Sequence, residues 1–345
     1  MKNYERKLMI LQAIIHSYIT NPEPVGSRTI QKKYDLGVSP ATIRNEMADL
    51  EELGFLIQPH TSAGRIPSDK AFRLYVDRMM ELQQIAFAQR RSIRNSLLHD
   101  LSEVEKLVEN SAKLLSQLTE YTTFAISPKI EQDTLKRIRL IPVDETKTLV
   151  VLITSAGIVK DFIIRNETAI EENQLNLISE FLTDKLANTP IYQMGYIIDH
   201  YLMDELEQMR FSARSLLPMI NDTLSEINDT KIFANGILNI FNFPEYQDFD
   251  RAQSLVKFMQ TKGNVADMLM NAGDSHELRI SIGRENLYDV LRECTMITAT
   301  YTLKGQTVGK LALVGPTNMD YSKVIPLIRS VAREVNEILT EYYET

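Results

Sequence analysis

Ser39-Pro40-Ala41-Thr42-Ile43-Arg44-Asn45-Glu46-Met47-Ala48-Asp49-Leu50-Glu51-Glu52-Leu53-Gly54 spells out both ends of a helix in its own residues. Ser39 is a strong N-cap type, and Pro40 sits at the first helical position, where its missing N–H costs nothing. Gly54 supplies the stop. Ile43, Met47 and Leu50 fall on one face at about 100° per residue, so the helix is amphipathic. The opposite face presents Ala41, Asn45 and Ala48, flanked by Thr42 and Arg44. Asparagine pairs bidentately with adenine and arginine with guanine, while an alanine or threonine methyl touches the thymine methyl, so this face suits a DNA major groove. Asp49, Glu51 and Glu52 crowd the C-terminal half, where phosphates repel them, so the N-terminal half is the end expected to enter the groove. The plainer alternative is an exposed Arg44 paired with Glu51 or Glu52 and a merely solvated Asn45.

The flanks extend the pattern. Upstream, Leu8, Leu11, Ile14, Ile15 and Tyr18 give Lys7–Thr20 helical spacing, and Asn21-Pro22-Glu23-Pro24 stops it. A short second helix is expected after Gly26-Ser27, running through Ile30 to Tyr34, with Asp35-Leu36-Gly37-Val38 as the turn. Downstream, Phe55-Leu56-Ile57-Gln58 predicts a strand, and Pro59 to Pro67 a polar tip and a return, which is the order of a β-wing. His60 and Arg65 are then placed near the sugar-phosphate backbone or the minor groove, where contacts mainly position the protein.

Charge supports this assignment locally. The 345-residue chain carries a formal charge of −8, yet Met1–Arg94 holds 14 Lys/Arg against 10 Asp/Glu, leaving a net −12 on the remainder. A basic head on an acidic body points to a phosphate-facing surface at the N-terminus. The length implies two or three domains. The longest apolar runs, such as Thr148–Ile153, fall far short of a membrane helix, and the polar start Met1–Arg6 is no signal peptide. With Cys294 alone there is no internal disulfide, and a cytoplasmic protein is expected.

The string SPATIRNEMADLEELGFLIQPHTSAGRIPSDKAFRLYVD, Ser39 to Asp77, closely resembles the HrcA family of heat-inducible transcriptional repressors of bacteria. So do PVGSRTI (Pro24–Ile30), IFNFPEY (Ile240–Tyr246), ISIGRENLYDVLRECTMITATY (Ile280–Tyr301) and GQTVGKLALVGPTNMDYSKVIPLI (Gly305–Ile328). The resemblance implies a homodimer that binds double-stranded DNA at an inverted-repeat operator upstream of chaperone operons. It also implies a GroEL-type chaperonin as the partner that keeps the repressor active until heat stress. With the reading above, the candidate DNA-binding residues are Arg28, Ser39, Ala41, Thr42, Arg44, Asn45, His60, Thr61, Ser62 and Arg65.

The expected fold is an α+β multidomain chain. A winged helix-turn-helix domain spans 1–78, and a helical connector spans 79–121, carried by stripes such as Phe72, Val76, Met79, Leu82 and Leu101, Val104, Val108, Leu115, Leu118. Strands at Thr122–Ser127, Leu135–Pro142, Thr148–Thr154 and Ile158–Ile164 are followed by a helix over Glu171–Leu186. Towards the end come a helix over Glu285–Cys294, strands at Thr295–Thr302 and Lys310–Val314, and a helix from Tyr321. Such mixing suggests an α+β domain in two chain segments. The resemblance makes it GAF-like, over 122–189 and 277–345, split by an inserted dimerising domain at 190–276 in which helices around Gly195–Arg210 and Asp250–Met259 flank an intersubunit strand over Lys231–Phe243. A small-molecule-gated regulator using the GAF-like domain as sensor is the alternative function.

No enzyme is expected. The five histidines (His16, His60, His99, His200, His276) form no metal-like cluster, so no metal or cofactor is assigned. Gly305-Gln-Thr-Val-Gly309-Lys310 is one residue short of a phosphate-binding loop and has Leu311 where Ser or Thr belongs, so a β-hairpin is the better reading.

Overall fold

The computed structural model describes residues 3–60, 64–99, 104–126, 134–155, 159–165, 169–202, 205, 231–246, 248–272, 278–303 and 306–344. Three helices open the chain: α1 (Asn3–Thr20), α2 (Ser27–Lys33) and α3 (Pro40–Glu52). A two-stranded antiparallel ribbon follows, β1 (Leu56–Ile57) with β2 (Ile66–Pro67), in the register Leu56↔Pro67 and Ile57↔Ile66. Their shared core takes Ile10, Leu11, Ile14 and Ile15 from α1, Ile30 from α2, and Ile43, Met47 and Leu50 from α3, all buried. The apolar spacing of each helix is thus spent on one small core.

Beyond the ribbon, α4 (Asp69–Leu74) is capped by Ser68, whose side chain accepts from Ala71 N–H, and continues as a π turn over Tyr75–Met79. Helical order stops at Met80 (φ −80°, ψ 145°). Residues 80–86 carry no helix or strand before α5 (Phe87–Leu97), and α6 (Val104–Thr119) follows. The connector is therefore not one run of helix. The interruption is anchored by a backbone bond from Gln83 N–H to Ser322 O at 3.1 Å, a long-range partner that local periodicity does not reveal.

The chain divides into two compact units, 1–126 with 232–337, and 127–231 with 338–345. The sheet of the first is antiparallel throughout, in the order β7-β3-β10-β9-β8. These are β3 (Thr122–Ile126), β7 (Ile232–Asn235), β8 (Arg279–Ile282), β9 (Cys294–Leu303) and β10 (Gln306–Pro316). Phe124, Ile126, Cys294, Met296, Ala312 and Val314 share a core with Leu255 and Met259 of α9 (Phe249–Gln260) and Val265, Met268 and Leu269 of α10 (Lys262–Met270). The last helix, α11, spans Tyr321–Glu344.

The second unit holds a separate antiparallel sheet, β4 (Leu135–Asp144), β5 (Lys147–Thr154) and β6 (Val159–Arg165). One face packs Leu135, Ile138, Leu140, Val150, Leu152 and Ile164 against Leu175, Ile178 and Leu182 of α7 (Glu172–Leu186), and against α8 (Ile191–Ile197).

Three stretches are arranged differently from the expectation. Contacts group 127–231 with 338–345 as the second compact unit, where an insert over 190–276 is expected, because β4–β6 form their own sheet and β7 returns to pair with β3. Lys231–Phe243 is a strand only over Ile232–Asn235, which pairs within the chain (Phe124↔Ala234) at the edge of the five-stranded sheet; Gly236 turns it at φ +68°, and Ile237–Asn242 is a 3₁₀ helix. Glu285–Cys294 is not a helix but two single 3₁₀ turns, Gly283–Glu285 and Asp289–Leu291. The Asn286 amide draws the stretch inward, donating to Gly283 O at 2.9 Å, Leu291 O at 2.9 Å and Cys294 O at 2.8 Å. A side chain thereby satisfies carbonyls that a helix would have satisfied through its backbone.

Candidate nucleic-acid interface

The N-terminus of α3 is built by its cap. Ser39 is extended (φ −69°, ψ 155°), its hydroxyl accepts Thr42 N–H at 3.2 Å, and it lies 3.0 Å from the Thr42 hydroxyl. Ala41, Arg44, Asn45 and Ala48 are exposed, with Thr42 half-buried at their edge. Among the described residues Arg44 forms no ion pair with Glu51 or Glu52 and Asn45 has no hydrogen-bond partner, so both side chains present unspent donors to solvent. Arg28 is exposed on α2, followed by the exposed Lys32 and Lys33 in its last turn.

The opposite face of α3 carries a feature that the apolar spacing concealed. Glu46 is buried, and Arg6 and Lys7 of α1 hold its carboxylate: Arg6 Nε donates to Oε1 at 2.8 Å, Arg6 Nη2 lies on the same oxygen, and Lys7 Nζ is 3.0 Å from Oε2. Burial alone would raise the Glu46 carboxyl, but the Arg6 and Lys7 hydrogen bonds outweigh it and hold the group below the ordinary glutamate range. Lys7 also reaches Asp49 at 2.8 Å, and the Asp49 and Glu46 bonds raise its ammonium above the usual lysine value. The signal available in the sequence was a carboxylate at position 46, inside the Ile43–Met47–Leu50 stripe, where a solvated residue does not belong.

The ribbon is tied to the helices at its base. Arg65 exchanges both backbone hydrogen bonds with Val25 at 2.9 Å, and its Nε donates to Glu51 Oε2 at 2.7 Å. The Arg65 side chain is therefore engaged with the C-terminal half of α3, while His60 stands exposed near the tip. Thr61 and Ser62 lie outside the described residues. Gly64 approaches Val25 so closely that a Cβ would come within 2.5 Å of its carbonyl carbon and oxygen, which explains the glycine at the return of the ribbon. Lys70 closes the other side, donating to Leu53 O at 2.9 Å and lying 4.5 Å from the centre of the Phe55 ring.

Elsewhere chemistry is sparse. Among the described residues no group of three or more His, Cys, Asp or Glu side chains is placed to hold a metal ion, and no helix is long and apolar enough to cross a membrane. Cys294 is buried beside Tyr246 at 3.2 Å, and desolvation pushes its thiol up to about 12. Lys310 is buried and donates to Leu269 O at 3.0 Å and Met270 O at 3.3 Å, closing the C-terminal end of α10 rather than facing a phosphate.

The family model for the HrcA protein C terminal domain matches residues 105–325. The heat-inducible transcription repressor HrcA of Alkaliphilus metalliredigens is 43% identical over 345 residues, all of both chains. The chain belongs to the HrcA family. Further HrcA relatives are those of Clostridium perfringens, 39% identical over 97% of this chain and 98% of that one, and Clostridium tetani, 38% identical over 99% and 97%. HrcA proteins carry the name of transcription repressors, so this is a family of regulators and not of enzymes. A solved structure titled as a hypothetical protein at 2.2 Å resolution shares the fold, with a TM-score of 0.73 and 23% identity over 97% of this chain and 98% of that one.

Proposed function

We propose that this HrcA-family chain is a cytoplasmic, homodimeric repressor of chaperone operons that reads an inverted-repeat operator in double-stranded DNA. The head acts as a winged helix-turn-helix: α3 enters the major groove by its N-terminal half, and the β1–β2 ribbon is the wing. The observation that carries this reading is the outward face of α3, where Arg44 and Asn45 stand exposed and unpaired at a capped helix end. Arg44 and Asn45 read bases, with Ala41 and Thr42 beside them for methyl contacts. Arg28, Ser39, His60, Thr61, Ser62 and Arg65 bind or approach the backbone. The names of the relatives supply heat as the inducing condition. A GroEL-type chaperonin sustains the repressor, and its diversion to damaged proteins under heat relieves repression.

The five-stranded domain takes the GAF-like role, as a structural body. One internal cavity, among Thr122, Ile240, Phe243, Tyr246, Leu255, Met259, Val314 and Gly315, has a volume of about 10 Å³, room for no more than one water molecule, whereas the larger hollow of about 680 Å³ beside Tyr246, Asp250, Arg251, Arg284 and Glu293 is broadly open to solvent. The inserted unit is the dimerising one. Its sheet covers one face with α7 and leaves Ile141, Val159 and Ile163 exposed on the other.

Arg44→Ala and Asn45→Ala test the reading face. Each is expected to lower specific operator affinity by about 1–3 kcal/mol and to relax discrimination at one base position, with the fold unchanged. Operator binding that both variants leave intact assigns base reading to another surface.

A further inference from the structure

Among the described residues, the short helix α4 fastens the head to the five-stranded domain. Asp69, the first residue of α4, accepts the backbone N–H of Arg284 at 3.0 Å. Gly283, at φ +56°, lies so close to that carboxylate that a Cβ would overlap it. One turn further along α4, Arg73 grips Glu285 with two prongs, Nε to Oε1 at 2.9 Å and Nη2 to Oε2, while Nη2 also donates to Ile280 O at 2.6 Å. Glu285 is itself fixed, its Oε2 accepting Ile282 N–H at 2.9 Å at the end of β8. Beneath these bonds the Phe72 ring sits between Tyr18 of α1 and Tyr321 of α11, with centroids 6.4 and 6.1 Å apart, so the joint is dry on one side and ionic on the other.

Residues four apart on a helix share a face, which places Asp69 and Arg73 side by side over β8 and the 3₁₀ turn that leaves it. A half-exposed ion pair of this kind adds little to stability. A planar guanidinium held by four acceptors, three across the joint and Asp77 Oδ1 at 3.2 Å on its own helix, does something different, because its fork fixes direction as well as distance. We propose that Asp69 and Arg73, closing on Gly283–Glu285, set the angle at which the head presents α3 and thereby the half-site spacing that the dimer accepts. This rests on the reading of the chain as a dimeric DNA binder, for which half-site spacing is a geometric property of the assembly. Asp69 and Arg73 are positioning residues and touch no DNA. A head released from the clamp retains its reading face but samples many orientations, so several spacings become nearly equivalent and the best one is weakened.

The test uses the full-length protein. An operator is first selected from a random duplex library with the wild type. Its half-sites are then moved apart or together in single base-pair steps up to half a helical turn, about 5 base pairs, and one half-site is also presented alone. The wild type is expected to lose at least about tenfold in affinity away from its preferred spacing. Arg73→Met is expected to bind the preferred spacing roughly tenfold more weakly, to vary less than about threefold across the series, and to bind the single half-site as the wild type does. Arg73→Lys, which keeps the charge but loses the fork, recovers part of the affinity and little of the spacing preference, and Glu285→Gln, which keeps an acceptor for Ile282 N–H, repeats the effect from the other side of the joint. A folded Arg73→Met protein with the wild-type spacing profile overturns the clamp, as does an equal loss at every spacing and at the single half-site. A wild type indifferent to spacing overturns the dimeric reading itself, and the clamp's role falls with it.

Discussion

Glu46 occupies the packed face of α3 between Ile43 and Met47, and only 5% of it meets solvent. A carboxylate there is tolerable because Arg6 and Lys7 reach it from α1, so the pair of helices is held by charge as well as by aliphatic packing. The folded carboxyl titrates below its unfolded value of about 4.3, so its contribution to stability is complete above that value and is lost as pH falls through the folded one. Glu46→Gln should therefore destabilise the head by on the order of 2 kcal/mol at neutral pH, the worth of hydrogen bonds to a charged group. As pH falls through the folded value the wild type should converge on the variant. Hydrogen exchange of α1 and α3 amides, followed across this range, reads the effect locally; protection that declines identically in both proteins argues against it. The same carboxylate shows where single-residue reading reaches its limit. Ser39, Pro40, Arg44 and Asn45 announce their roles by type and position alone, whereas Glu46 has meaning only once α1 is known to lie against it.

At the scale of elements, strong local signals were realised and weak ones were overruled by distant partners. Helix α3 begins and ends where Ser39 and Gly54 place it, with the expected cap bond in place. The stretch from Glu285 to Cys294 has helical spacing but no cap or stop of comparable strength, and the buried Asn286 amide folds it into turns instead. Asn286→Ala removes the amide group that serves three carbonyls, at a residue only 6% exposed. We expect a loss of about 1–3 kcal/mol in the five-stranded domain, seen as a lower melting temperature of the full-length protein. Restored helicity in this variant, measured as a gain of far-ultraviolet circular dichroism without loss of stability, would mean that the amide is not what sets the turns. Helix-breaking at Met80–Ala86 has the same character: composition permits helix there, and the bond from Gln83 to Ser322 decides otherwise.

Strand pairing across long sequence separations governs the whole molecule, and this is why the insert's limits were illegible in one dimension. β3 and β7 pair at Phe124↔Ala234 although the entire β4–β6 unit lies between them in the chain. Hydrophobic alternation marks each strand but carries no label for the sheet it joins. The separated sheet has a consequence for assembly. Its uncovered face sets Ile141, Leu149 and Ile163 in one cross-strand row and Arg137, Ile153 and Val159 in another, with Arg139, Val151 and Asp161 between them. Arg139 on one edge strand and Asp161 on the other make this face complementary to itself, since a two-fold axis through Val151 sets each arginine opposite the partner's acid. Ile163 is 58% exposed, so replacing it with aspartate leaves the unit's own core intact and should change its stability by no more than about 0.5 kcal/mol. If this face is the proposed dimer contact, the same charge, two residues from Asp161 and in the row beside Val151, should raise the dissociation constant by roughly tenfold or more. Sedimentation velocity of Ile163→Asp at micromolar concentration should then show a folded monomer. Its operator affinity should fall toward that of a single half-site, because the second head no longer acts at the high effective concentration that linkage provides. A dimer that survives the substitution with unchanged affinity places the two-fold axis on a different surface.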